Sequence, residues 1–357
     1  MLIITLMLVA CTKDGDTIYK PDPEEELPST APLVTVIYSP NGLGDRSYND
    51  LIYKGIEAAG KKYGVRILQL APENEKQGLA YLETIFRQME NATDTIRRLF
   101  ITPGPIFDTF IRRNNRRLEK NAYADLLYME TTTPLEGKGS TLYIDYYGAM
   151  YMGGCMAQYA GNELVSLLLA NPTTQTVKEA GEGFIAGFND TPPVDPDEPI
   201  ILHKRYLSND PVGGFIIADT TATRIYKEEC NILGYYYNIT LVPICGGAMH
   251  PFYRILRSSS QFDFNNYVSI DSDMTDDVNF CVFAILKHID KVMIDYIGMW
   301  LNGTMPKHQT LGLADGATDA VIGWNYNRRY GALRNGKLNM DSLRQVAIRK
   351  EVERYEK

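Results

Sequence analysis

The residues best placed to do chemistry sit in short turns after apolar runs. Gly42-Leu43-Gly44 follows the β-rich run 33–38 and precedes a helical stretch. A dinucleotide-binding turn has this setting, with glycines that let the backbone approach a pyrophosphate. The third glycine of that fingerprint is missing, since Ser47 stands in its place, and Glu73 after the next strand is the available mimic of a ribose-holding acid. Two glycines in a tight βα turn occur without any cofactor, so an NAD-dependent enzyme is not the favoured reading. Asp271 and Asp273 follow another strand and hint at the acidic pair of a nucleoside hydrolase. Adjacent acids after a strand are common, however, and no nucleophile–base–acid set stands out along the chain. Walker A, HExxH and G-x-S-x-G patterns do not occur. The four histidines do not cluster, and Cys155, Cys230, Cys245 and Cys281 form no CxxC pair. Their apolar or small neighbours predict buried free thiols. No catalytic activity, cofactor or metal is expected.

These turns need a scaffold, and the pattern supplies an alternating one. Strands are predicted at 33–38, 65–70, 98–102, 124–129 and 141–147, with helices at 47–63, 76–90 and 106–120 between the earlier ones. A long helix is predicted over 148–169, and the pattern then resumes with strands at 199–207, 239–245 and 266–271 and helices near 214–231 and 248–258. The stretch 275–301 reads as one amphipathic helix, with Val282, Ile285, Leu286, Ile289, Val292, Met293, Tyr296, Ile297 and Trp300 on a single stripe and Lys287 off it. A last helix begins near 341, and Asp190–Pro199 is an acidic, proline-rich loop. This βα alternation predicts parallel sheets with helices on their faces. The basic run Arg112–Arg117 shares its predicted helix with Phe107, Ile111 and Leu118, so it reads as a solvated face.

The chain has 357 residues, 44 acidic and 36 basic side chains, and a net charge of −8. That length suggests two domains. The negative balance argues against nucleic-acid binding. The 24 tyrosines against 12 phenylalanines predict aromatic surface with one polar edge kept wet. Met1–Ala10 is apolar and uncharged, too short to span a bilayer but suited to the apolar part of an export signal. Leu8-Val9-Ala10-Cys11 has the pattern of a bacterial lipoprotein signal with Cys11 as the lipidated residue. Residues 12–31 have linker composition, and with six acids against two bases they hold −4 of the net charge of −8. A lipid-anchored protein of the cell envelope is expected, on the periplasmic face or the outer-membrane surface.

Gly44-Asp45-Arg46-Ser47-Tyr48-Asn49 resembles the D-[KR]-[SG]-[FY]-N signature of the basic membrane lipoprotein family. The likeness continues in order through Tyr147–Gly154, Cys245-Gly246-Gly247-Ala248, Ser269–Asp273, Cys281–Asp290 and Leu313–Gly316, so it covers residues 33 to about 325. It departs from the family where an acid is expected upstream of Asp45, where Ser208 precedes Asn209-Asp210-Pro211 in place of an aromatic, and at Met249-His250-Pro251. The strand and glycine turn expected after the crossover helix are hard to find around Asn171-Pro172-Thr173-Thr174.

The resemblance implies a two-lobed type I periplasmic-binding-protein fold and a nucleoside-binding subunit of an ABC transporter. It implies that Tyr48 stacks on a purine, that Asn49 and Asp45 read its polar edge, that Asp271 and Lys287 hold the sugar, and that Gly246 and Gly247 let backbone approach. The first lobe would be 32–146 plus 275–303 and the second 147–272 plus 304–340, with a C-terminal helix over 341–357. A monomer that hands its ligand to a membrane permease is expected. The competing reading is a surface lipoprotein, a sensor or interaction module, that kept this fold and changed or lost the ligand.

Overall fold

The computed structural model describes residues 27–356 except 41, 105, 161, 233–238, 259–264, 277–279, 324–325 and 327–337. Cys11 and most of the acidic linker lie outside the described residues, as does the run Tyr235–Tyr237. The chain builds two six-stranded sheets. Strands β1 (Leu33–Ile37), β2 (Arg66–Leu70), β3 (Arg98–Pro103), β4 (Ala124–Met129), β5 (Ser140–Ile144) and β11 (His308–Leu311) form the first, in the order β11-β5-β4-β3-β1-β2. All of its pairings are parallel. The second holds β6 (Leu164–Leu169), β7 (Ile201–Tyr206), β8 (Ile239–Ile244), β9 (Asn266–Asp271), β10 (Cys281–Lys287) and β12 (Thr318–Ile322), in the order β12-β10-β9-β8-β6-β7. Here β12 runs antiparallel to β10.

Helices cover both faces of each sheet, as parallel strands require. In the first lobe α1 (Tyr48–Tyr63) and α8 (Ile289–Asn302) bury Ile52, Met293 and Trp300 against Val34 and Ile101 of the sheet. On the other side α2 (Glu75–Asn91) and α3 (Asp108–Asn114) bury Phe86, Phe100 and Phe107. Asn74 caps α2 by accepting the Gln77 N–H at 3.0 Å, and Gly64, at φ 64°, ends α1 in the left-handed turn that glycine tolerates. The second lobe carries α4 (Tyr147–Ala157), α5 (Gln175–Asp190), α6 (Asp219–Cys230) and α7 (Met249–Ser258), and α9 (Met340–Val352) packs on α4.

Two expected helices are corrected. The stretch 148–169 is α4 followed by the strand β6, whose LVSLLL is buried at every position. The stretch 275–301 holds β10 and then α8. A central parallel strand is buried on both faces, so its apolar run continues a helical stripe without a visible break. Lys287 therefore ends a strand and is buried, not displayed on the polar face of a helix. The lobe boundaries move accordingly: β10 belongs to the second sheet and α8 to the first lobe, while β11, expected in the second lobe, edges the first sheet. The basic helix at 106–120 is α3 plus a 3-10 stretch over 115–120.

The chain crosses between sheets at 145–146, at His288 and at 312–317. Cys155, Cys230, Cys245 and Cys281 are all buried free thiols. The tyrosines depart from the expected wet surface. Tyr128, Tyr143, Tyr296 and Tyr326 are among the largest fully buried side chains, and their hydroxyls bond Asp108, Glu179, Gln309 and the Met156 carbonyl. No helix among the described residues is long and apolar enough to cross a membrane.

Candidate functional site

The carboxyl ends of both sheets face one another across a cavity of about 170 Å³. Parallel sheets place ligands at these strand ends. The first lobe contributes the turn after β1, Ile106 after β3, and Glu130 after β4; the second contributes α5's first turn, Phe215, Cys245–Gly247 after β8, Asp271 at the end of β9 and Lys287 at the end of β10.

The turn after β1 is held by its own side chains. The buried Asp45 carboxylate accepts the N–H groups of Ser47 at 2.9 Å, Asn49 at 2.9 Å and Asp50 at 3.1 Å, so it caps α1. Burial still pushes its pKa up to about 6, against the pull of those three bonds. Asp50 takes the Gly44 and Arg46 N–H groups at 2.7 and 2.8 Å. Asn49 is also buried: its amide donates to Ser39 Oγ and to the Gly42 carbonyl, both at 2.9 Å, and its oxygen faces the Ser39 N–H. Those bonds use the amide inside the loop, and Asn49 is not among the residues that line the cavity. Because Asp45 does the capping, Ser47 is released from that task, and its hydroxyl donates across the cleft to Asp271.

Tyr48 lines the cavity, and its hydroxyl is buried without a hydrogen-bond partner. Burial holds that phenol's pKa well above the usual value, so it stays a neutral O–H donor. Lys287 Nζ lies 5.8 Å from the Tyr48 ring centre and 5.5 Å from that of Tyr146. It also pairs with Glu130 Oε1 at 2.8 Å, with both side chains about 5% exposed. The second carboxylate oxygen of Glu130 is buried with no partner. Burial raises the Glu130 pKa, and the Lys287 charge opposes the rise.

Glu130 and Asp271 both adopt left-handed backbone, at φ 57° and 69°. Such non-glycine conformations concentrate at functional sites. The Asp271 N–H donates to the Tyr146 hydroxyl at 3.0 Å, and that hydroxyl donates to the Ile285 carbonyl at 2.6 Å. Gly246 takes φ 53°, and a Cβ there would stand 3.3 Å from the Phe215 ring.

Of the sequence-predicted residues, Asp45, Tyr48, Gly246, Gly247, Asp271 and Lys287 meet at one cavity. The sequence reading missed Glu130, Tyr146, Gln175 and Phe215, which line it too. Glu130 had a signal, since it follows a predicted strand just as Asp271 does. Phe215 had none, because only the fold brings its loop to the cavity. Glu73 is exposed and away from the cavity, and Asp273 is used by Thr275, whose N–H and hydroxyl it accepts at 2.9 and 2.6 Å. Burial pushes the Cys245 thiol far above the range in which it would be a nucleophile. The site thus offers carboxylate acceptors beside an ammonium and a phenol, together with apolar lining from Ile106, Val177, Phe215 and Ile270. Among the described residues no cluster of acids, histidines and cysteines could hold a metal ion.

No protein-family model matches the sequence, and no curated protein does. Solved structures do match. An ABC transporter system solute-binding protein from Aeropyrum pernix K1 aligns at TM-score 0.64 and 15% identity, over 90% of this chain and 86% of that one. A transcriptional activator of the comK gene from Bacillus halodurans aligns at TM-score 0.60 and 14% identity, over 89% and 95%. An ABC transporter solute-binding protein from Burkholderia graminis, in complex with D-arabinose, aligns at TM-score 0.57 and 12% identity, over 84% and 96%. At these identities the likeness speaks for the fold, and with the two sheets and three crossings it makes this chain a two-lobed type I periplasmic-binding-protein fold.

Proposed function

We propose that this protein is a lipid-anchored solute-binding protein that encloses a purine nucleoside between its lobes and presents it to an ABC permease. The observation that carries this reading is the unpartnered Glu130 oxygen beside Lys287 and Asp271, in a cavity that also has apolar lining. A vicinal diol suits the polar end, since each hydroxyl can donate to a carboxylate and accept from the ammonium. A flat base suits Tyr48 and the apolar lining, where stacking contributes ~1–3 kcal/mol per base. The likeness to ABC transporter solute-binding proteins supports the transport role. Cys11 and the acidic linker support an anchor at the cell envelope.

A free monosaccharide is the second reading. A water fills roughly 10–15 Å³ by the same kind of measure, so 170 Å³ holds on the order of ten waters, nearer a sugar than a nucleoside. The D-arabinose complex of one neighbour points the same way. Isothermal titration against purine nucleosides, free ribose and hexoses separates the two. Nucleosides are expected to bind tightest, with Tyr48→Ala weakening them by about tenfold or more. Ribose binding that equals nucleoside binding and ignores Tyr48→Ala selects the sugar. No heat and no thermal shift with any of them selects a surface lipoprotein that lost its ligand.

A further inference from the structure

Three crossings carry the chain between the lobes, and the last described helix lies over two of them. The Glu351 carboxylate is 5% exposed. One of its oxygens accepts the Gly148 N–H, just after the first crossing, at 2.8 Å. The other accepts the Leu313 N–H, in the third crossing, at 2.9 Å. The carboxylate sits directly against both backbones, where glycine leaves space for it. A Cβ on Gly148 would fall 2.5 Å from Glu351 Oε2, and one on Gly312 would fall 2.1 Å from Oε1. The two crossings also start side by side, since the Asp145 N–H donates at 2.7 Å to the carbonyl of Leu311, the last residue of β11 before the third crossing.

The segment after α9 adds charge. Arg354 reaches both oxygens of Asp145 at 3.3 Å and Glu179 of α5 at 3.1 Å. The Tyr355 hydroxyl donates to Asp145 at 2.5 Å. Glu179 also accepts from Gln175, a residue of the cavity lining. An unbroken chain of polar contacts therefore runs from the cavity through Gln175, Glu179 and Arg354 to Asp145 at the first crossing.

We infer that residues 351–355 are a hinge brace: Glu351 ties two inter-lobe crossings together, Arg354 ties them to the cavity wall, and the brace holds the lobes toward the closed arrangement. The inference rests on lobe closure as the mode of ligand capture, and it does not depend on which ligand is captured. The binding energetics follow by reciprocity. A brace that favours the closed state raises apparent affinity, and a ligand that touches Gln175 steadies the brace.

Two conservative variants test it in the full chain. Glu351→Gln keeps the shape but turns an N–H donor toward a peptide N–H. Arg354→Gln removes the charge but keeps a hydrogen-bonding side chain, and the Tyr355 hydroxyl and the Tyr147 N–H still reach Asp145. A nitroxide pair at Lys76→Cys in α2 and Lys227→Cys in α6, in a Cys11→Ser background, reports the inter-lobe distance by pulsed electron resonance. Hydrogen exchange of peptides covering 145–149 and 311–317 reports the crossings. Each variant, without ligand, is expected to enlarge the long-distance population and to speed exchange at both crossings roughly five- to tenfold, with β1–β3 unchanged. A purely stabilising role would speed exchange everywhere and leave the distances alone, and that result overturns the brace. Two wild-type distance populations that neither variant redistributes also overturn the brace alone. A single wild-type distance under all conditions, with nucleosides and sugars added, overturns lobe closure and the brace together.

Discussion

Asp45 shows how one side chain can serve two ends of a site. Its carboxylate caps α1 through three N–H groups, which leaves the Ser47 hydroxyl free to reach Asp271. The cost is a buried charge, visible in a pKa raised from 3.8 to about 6. The direction fixes how stability responds to pH. A carboxyl that is harder to ionise in the folded state contributes stability that is complete below its unfolded pKa and is lost as pH rises through the folded one. The window therefore runs from about pH 4 to pH 6, and its size is about 3 kcal/mol at the usual conversion. Asp45→Asn should flatten that part of the stability curve, measured by urea unfolding at half-unit steps from pH 4 to 7. An unchanged slope would mean that Asp45 titrates in the folded protein as it does unfolded. The Glu130–Lys287 pair obeys a different rule. Both members are buried, so the pair adds little net stability by itself, but losing either partner strands the other charge. Its value lies in holding an acceptor and a donor side by side at the cavity.

The elements read most easily were those with one wet face. Helix α1, with its left-handed glycine end, and α2, with its Asn74 cap, fall within a residue or so of their predicted bounds. The errors fell on elements buried on all sides. Strands β6 and β10 are apolar nearly throughout and were absorbed into helices, and that displaced Lys287 and the lobe boundary with it. Helix α4 misleads for the same reason, since almost every residue in it is buried. Its identity comes from close packing that sequence periodicity does not report. A Cβ on Gly154 would stand 2.0 Å from the Phe184 carbonyl oxygen of α5, and one on Gly187 would stand 1.9 Å from that of Tyr151. Glycine is required here for approach, not for φ. Gly187→Ala should force α4 and α5 apart at a cost of about 1–3 kcal/mol. Differential scanning calorimetry should show the second lobe melting earlier, while Gly303→Ala, with open space around it and strain at φ 72°, should cost less. Equal losses at both positions would mean that the helix pair has slack which the packing denies.

At the scale of the whole molecule, the six cavity residues foreseen in the sequence come from both lobes, and their convergence depends on closure. The pattern of turns after strands made them legible, because parallel sheets place such turns on one edge. The contacts that close the cleft were not legible, since they join residues far apart in the chain: 157 positions for Glu130 and Lys287, and 224 for Ser47 and Asp271. Besides Ser47 and Asp271, the Ser272 hydroxyl donates to the Arg46 carbonyl at 3.0 Å, and His250 Nε2 donates to the Asp45 carbonyl. Burial lowers the His250 pKa, so the neutral ring makes this bond at neutral pH. Neither Ser272 nor His250 lines the cavity, so neither would touch an enclosed ligand. Their contribution to affinity must then pass through the fraction of molecules that are closed. A neutral hydrogen bond contributes about 1 kcal/mol, and apparent affinity scales with the competent fraction. Ser272→Ala and His250→Gln should each weaken binding of whichever nucleoside or sugar titrates best by roughly fivefold, and together by more than either alone. Stopped-flow mixing should place most of the change in faster dissociation. The melting temperature of the free protein should hardly move, because each lobe keeps its own core. If both variants bind with wild-type affinity and instead melt earlier, the lobes form one fixed body, and the inter-lobe bonds support the fold and not ligand capture.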